Sequence, residues 1–212
     1  MLASIPYMPP FSMLPPAVKH LLIINVLCYG AYYVLGRQGI IDLNFILGLW
    51  SPGSEEVYIN AYGFHLWQPF TYMFMHADLS HLFFNMFALW MFGNTLENFW
   101  GTKRFIVYYL ACGLGAGLLS LAIPGYHLTI GASAAVYGLL LAFGMTFPNE
   151  YIYLYFLMPI KAKWFVIGYA AIELFEGFLV TNDGIAHFAH LGGMLVGLLL
   201  ILWWRKHPFS RL

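Results

Sequence analysis

The side chains of this sequence that could do chemistry are few, and most lie within apolar stretches. Ser133 sits in GASAAVYG. Taken alone, a serine there is a small packing residue bonded to its own helix. Its neighbours argue for more: small residues on both sides let another helix or an extended substrate come close, and a hydroxyl at a helix N-terminus lies beside unpaired N–H donors that can stabilise an oxyanion. His190 sits in HFAHLGGMLVG, with Gly193 and Gly197 on its own helical face. That is a small-xxx-small contact face carrying a histidine. A serine hydroxyl with a histidine base is the pair that nucleophilic catalysis needs. His81 and Asn85, four apart, share one face and offer two donors. The competing reading makes them an interhelical clamp worth about 0.6 kcal/mol. Glu173 and Glu176 suit a proton or ion relay, or, in the preferred reading, are loosely held near water where a mobile helix meets the outer side. His187 lies about 4.5 Å nearer the outer surface than His190, where it would contact water or the first loop. Asp183 precedes His190 by about 10 Å of helix and suits a turn or cap, so the reading is a Ser-His dyad.

The elements that must position these groups follow from composition. Of 212 residues, 61% are apolar and only 8% charged, where a soluble domain carries roughly a quarter charged. The solvent implied is a lipid bilayer. Nine basic residues balance nine acidic ones, which removes the basic footprint of a nucleic-acid binder. Cys28 and Cys112 both lie in apolar runs, which excludes a disulfide scaffold. The N-terminal segment has neither the charged start nor the cleavage site of a removable signal. Six apolar runs, 18–36, 80–98, 103–122, 132–147, 163–180 and 185–204, predict an all-α bundle of six transmembrane helices in a single domain over 1–212. The fourth run, bounded by Gly131 and Pro148, is short at roughly 24 Å.

Six spans put both termini on one side. Lys19, Lys103, Arg104, Lys161, Lys163, Arg205, Lys206 and Arg211 fall on that side and Arg37 alone on the other, which predicts a cell-membrane protein with cytoplasmic termini. The first outer loop, 37–79, is aromatic, and IDLNFILGLW within it is too short to span. It is expected to lie in the interface or fold back onto the bundle. Trp203 and Trp204 beside Arg205 and Lys206 read as an interfacial belt. If Pro148 anchors the fourth span at its inner end, Ser133 lies roughly 7 Å and His190 about 7.5 Å below the outer boundary, at one level.

These residues resemble the rhomboid intramembrane serine proteases. The match comprises Trp67-Gln68, Thr71 and His76 in the first loop, His81 with Asn85, and Glu97 at the inner end of the second span. It continues with Gly131, Ser133 and Tyr137, then His190 with Gly193 and Gly197. The resemblance implies a nucleophile at Ser133 and a general base at His190, cleaving peptide bonds in or near transmembrane helices of protein substrates, with no cofactor and no metal. It implies an oxyanion hole of His81, Asn85 and the Ser133 backbone N–H, and Tyr137 packed on the His190 ring. The family's G-x-S-G reads Gly131-Ala132-Ser133-Ala134 here, and its Trp-Arg pair reads Trp67-Gln68. A proteolytically silent helix binder of the same family would lack the nucleophile or base, and this chain keeps both. A transporter built on His76, His81, His187 and His190 would need a ligand spacing or a broken-helix repeat that the sequence does not contain.

Overall fold

Each apolar run becomes a helix in the structure, a computed structural model that describes residues 11–51, 63–122, 128–154, 157–179 and 187–207. Helix α1, Pro16–Arg37, opens on a proline whose missing N–H costs nothing at that position. A short α2, Leu43–Leu47, leads to strand β1, Leu49–Trp50, and α3, Gln68–Thr71. The second run is one long helix made of α4, Leu79–Ala88, a π-helical segment at Leu89–Gly93, and α5, Asn94–Trp100. Gly101, at φ +84°, reverses the chain into α6, Thr102–Ser120. Strand β2, Leu128–Thr129, precedes α7, Ser133–Thr146. An antiparallel pair, β3 at Tyr151–Leu154 and β4 at Met158–Lys161, joins α7 to α8, Ala162–Leu179. The last helix is α9, His187–Lys206.

Among the described residues the molecule is therefore mainly helical, with two small strand pairs that lie outside an all-α reading. Among the described residues, Pro16–Gly36 and His187–Lys206 are each long and apolar enough to cross a membrane. By contrast, α7 has 14 residues, about 21 Å, and α8 carries Lys163, Glu173 and Glu176.

Helix α7 is apolar on every side, the pattern of a helix enclosed by neighbours, and it packs against α6, α8 and α9. Around it Leu89, Leu96, Phe105, Tyr108, Tyr109 and Cys112 are fully buried. Tyr108 spends its hydroxyl on the Gly138 carbonyl, 2.9 Å away, which ties α6 to α7. At the other end of the long helix, buried Glu97 accepts the Ala17 and Val18 N–H groups at 2.9 and 2.8 Å and the Thr102 hydroxyl at 2.7 Å. It supplies acceptors that the first turn of α1 lacks within its own helix.

The described part of the first loop folds back onto the bundle. Leu49, Trp50, Gln68 and Tyr72 are nearly inaccessible, and β1 pairs antiparallel with β2. Gln68 accepts the His65 N–H at 3.1 Å and donates to the Gly63 carbonyl at 3.0 Å, and Thr71 donates to Leu47 O at 2.6 Å. The aromatic belt needs correcting. Trp203 is half exposed, but Trp204 is 2% exposed, packed against Trp100 and beneath the Arg104 guanidinium at 4.3 Å. The last turn of α9 lies against the α5–α6 junction, so adjacent tryptophans meet different surroundings.

Candidate active site

Ser133 is placed by the turn before it. Gly131 adopts φ +119°, a conformation open to glycine, and its N–H donates to Tyr72 O at 2.9 Å. The folded-back first loop thus holds the segment from which α7 starts. Ser133 is the first residue of α7, so its N–H has no partner within the helix and the positive end of the helix dipole surrounds it.

His190 is brought to Ser133 by glycines. A Cβ at Gly193 would collide with the Ala134 carbonyl, and one at Gly197 with the Tyr108 hydroxyl. Hence α9 approaches α7 at backbone distance, and the His190 Nε2 to Ser133 Oγ separation is 2.8 Å. Tyr137, one turn along α7, stacks on the His190 ring at 4.4 Å and 7°.

Two residues sit differently from the sequence reading. Glu173, which the sequence places near water, is 4% exposed. Its Oε2 lies 3.0 Å from His190 Nδ1 and 2.8 Å from His187 Nδ1, and Oε1 accepts the Tyr137 hydroxyl. His187, expected to meet water or the first loop, is 4% exposed on the same carboxylate. Glu176 remains partly exposed, 3.7 Å from His187 Nδ1. The signal for this cluster was present: a buried carboxylate needs partners, and His187 and His190, three apart, share a face. What sequence could not supply was the rotation of α8 about its axis. Asp183 lies outside the described residues.

His81 faces the same place from α4. A Cβ on Gly131 would lie 2.7 Å from His81 Nε2 and 3.6 Å from Ser133 Oγ. The Ala77 N–H donates to His81 Nδ1 at 3.4 Å, so a neutral ring carries its proton on Nε2, the nitrogen nearer Ser133. Asn85, buried, donates from Nδ2 to His81 O at 2.9 Å. Its second amide proton has no place in that bond. Asn85, Ser133 and Tyr137 line a cavity of about 340 Å³ together with Phe84, Phe165 and Tyr169. Outside the helix, buried His76 packs edge-on to His81 at 5.0 Å. Burial, then the neighbouring His81, depress its pKa to about 3, so His76 is a neutral spacer at physiological pH. Among the described residues, the donor atoms that could hold a metal ion are those of Glu173, His187 and His190, within 4.8 Å of one another. Their 2.8 and 3.0 Å contacts are ordinary charge-assisted hydrogen bonds.

Comparison with known proteins matches the rhomboid domain over residues 63–207. The chain is 34% identical over 146 residues to rhomboid protease GluP of Bacillus subtilis, covering 68% of this chain and 27% of that protein. It is 27% identical over 183 residues to rhomboid protease GlpG of Photorhabdus laumondii, covering 81% and 62%. With Rhomboid-like protease 3 of Toxoplasma gondii it shares 29% over 143 residues, covering 68% and 53%. The matched region is thus less than two thirds of each relative's own length.

Proposed function

The chain belongs to the rhomboid family, and from that premise we propose that it is an intramembrane serine endopeptidase. It cleaves peptide bonds in or near transmembrane helices of protein substrates. The observation that carries this reading is the 2.8 Å contact of Ser133 Oγ with His190 Nε2, on a serine that opens a helix and lines a cavity. Apolar side chains such as Val26, Leu27, Phe175 and Phe178 cover outward faces of α1 and α8, which suits acyl chains as solvent. We therefore read the six long helical runs as spans of a multi-pass protein. The eight-to-one basic split supports cytoplasmic termini.

His190 Nε2 takes the Ser133 proton as Oγ attacks the scissile carbonyl. The oxyanion meets the Ser133 N–H, the His81 Nε2–H and the Asn85 amide, donors fixed before charge develops. His190 then passes the proton to the leaving amine, and water entering from the outer side resolves the acyl-enzyme. A helical substrate hides its carbonyls in intrahelical bonds, so segments with glycine or proline are the favoured sites.

The test is cleavage of a model transmembrane substrate by purified protein in liposomes. Ser133→Ala and His190→Ala are each expected to lose about 10⁴-fold or more in kcat while melting near the parent temperature. Turnover in Ser133→Ala equal to the parent would sink the reading, and absence of cleavage by the parent itself would favour a helix-binding role.

A further inference from the structure

The Ser133–His190 pair explains a nucleophile and a base but leaves the other ring nitrogen of His190 to be accounted for. It points at Glu173. An ionised carboxylate only accepts hydrogen bonds, and the three groups around this one can all donate: His190 Nδ1–H, His187 Nδ1–H and the Tyr137 hydroxyl. These three contacts on the carboxylate are satisfied together by one arrangement of protons. Nδ1 of His190 carries hydrogen toward Oε2, and the Nε2 lone pair is left for the Ser133 hydroxyl, 2.8 Å away. In the other tautomer two lone pairs would face each other across 3.0 Å.

We propose that Glu173 is a positioning residue for His190. Its carboxylate fixes the tautomer and ring orientation that make Nε2 the base, while His187 and Tyr137 hold the carboxylate still. The proposal rests on the reading of Ser133 as nucleophile and His190 as base, and extends it from a dyad to a relay crossing α7, α9 and α8. Two features make the placement effective. Glu173 is 4% exposed, so its carboxylate is shielded from bulk water. Tyr137 binds Oε1 while stacking on His190, so one side chain restrains both the acceptor and the ring that donates to it. When Nε2 takes the serine proton, the positive charge that forms on the imidazole lies beside a fixed negative one.

The experiment compares Glu173→Gln and Glu173→Asp with the parent and with Ser133→Ala. Steady-state cleavage of the model transmembrane substrate in liposomes and thermal unfolding are measured for each. Glu173→Gln keeps shape and removes charge, and its amide can present N–H to Nδ1, selecting the wrong tautomer. We expect kcat to fall about 10²- to 10⁴-fold, KM to stay within about twofold, and Tm to stay within a few degrees. Glu173→Asp keeps the charge on a shorter arm and is expected to retain at least about tenfold more kcat than Glu173→Gln. A parent-like kcat in Glu173→Gln, equal kcat in the two variants, or a kcat loss that follows a fall in Tm overturns the positioning role. In that case a large difference between the parent and Ser133→Ala leaves the dyad standing. If Ser133→Ala also cleaves like the parent, the underlying reading falls and this proposal with it.

Discussion

Glu97 and Glu173 are both buried carboxylates, 2% and 4% exposed, and they are held in opposite ways. Glu97 is bound by two backbone N–H groups of α1 and a threonine hydroxyl. None of these partners changes protonation, and the carboxylate fastens one helix start to the end of another. Glu173 is bound by two histidines and a tyrosine, side chains that can carry or release protons. Burial alone therefore does not separate a structural joint from the positioning group proposed at Glu173; the chemistry of the partners is what differs.

The comparison breaks most visibly at Glu97. Glu97→Ala leaves two backbone donors and a hydroxyl without their acceptor in the core, and the expected loss of stability is about 3 kcal/mol. Below its lowered melting point the variant should cleave at a near-parent kcat. A large kcat loss with Tm unchanged would place Glu97 in the site instead. Asn85→Ala is expected to behave the other way. Removing a donor that acts on transition-state charge should cost about 10²-fold in kcat, with little change in KM or Tm. Early melting with a normal rate would make Asn85 a clamp between helices.

The smallest effect is at Asp78, which caps α4 by accepting the His81 N–H at 2.8 Å and the Ser80 hydroxyl at 2.5 Å. The Ser80 hydroxyl first, then the His81 N–H, hold its pKa below the ordinary value of 3.8. A folded pKa below the unfolded one means that this stabilisation is complete above about pH 3.8 and disappears as pH falls through the folded value. Asp78→Ala should cost about 1 kcal/mol at neutral pH and flatten the acid side of the Tm-against-pH curve. Asp78→Asn, a comparable cap, should keep more of the neutral-pH stability and show the same flattening. An unchanged acid slope in both variants would show that the cap charge contributes nothing.

The two glutamates also differ in how far they were legible. Glu97 stands out in the sequence as part of a motif at the inner end of the second run, but its partners at Ala17 and Val18 lie 80 and 79 residues away. In the sequence Glu173 reads as one of an acidic pair near water, because its distance from the apolar run's edge says nothing of which way α8 faces. The same holds for His187, whose burial on that carboxylate depends on which way α9 faces. That the first loop stays in the interface or against the bundle is legible from its length and aromatic content, since a ten-residue, largely apolar segment cannot span; which of the two it does is decided by the pairing of β1 with β2. The burial of Trp204 is not legible: adjacent residues on a helix point about 100° apart, and only the neighbours decide which of two tryptophans is enclosed.

What the sequence determined by itself is what is local. The apolar runs became α1, the α4–α5 helix, α6, α7, α8 and α9 because helix formation in such runs depends on composition along one segment. Gly131, Gly193 and Gly197 marked places of close approach because a missing side chain shows in the sequence. The tertiary structure alone decided the pairing of β1 with β2 and the meeting of His190, His187 and Tyr137 on Glu173. Each depends on the rotation and depth of one element relative to another distant in the chain. A difference of 100° per residue is enough to turn a carboxylate from solvent to a histidine ring.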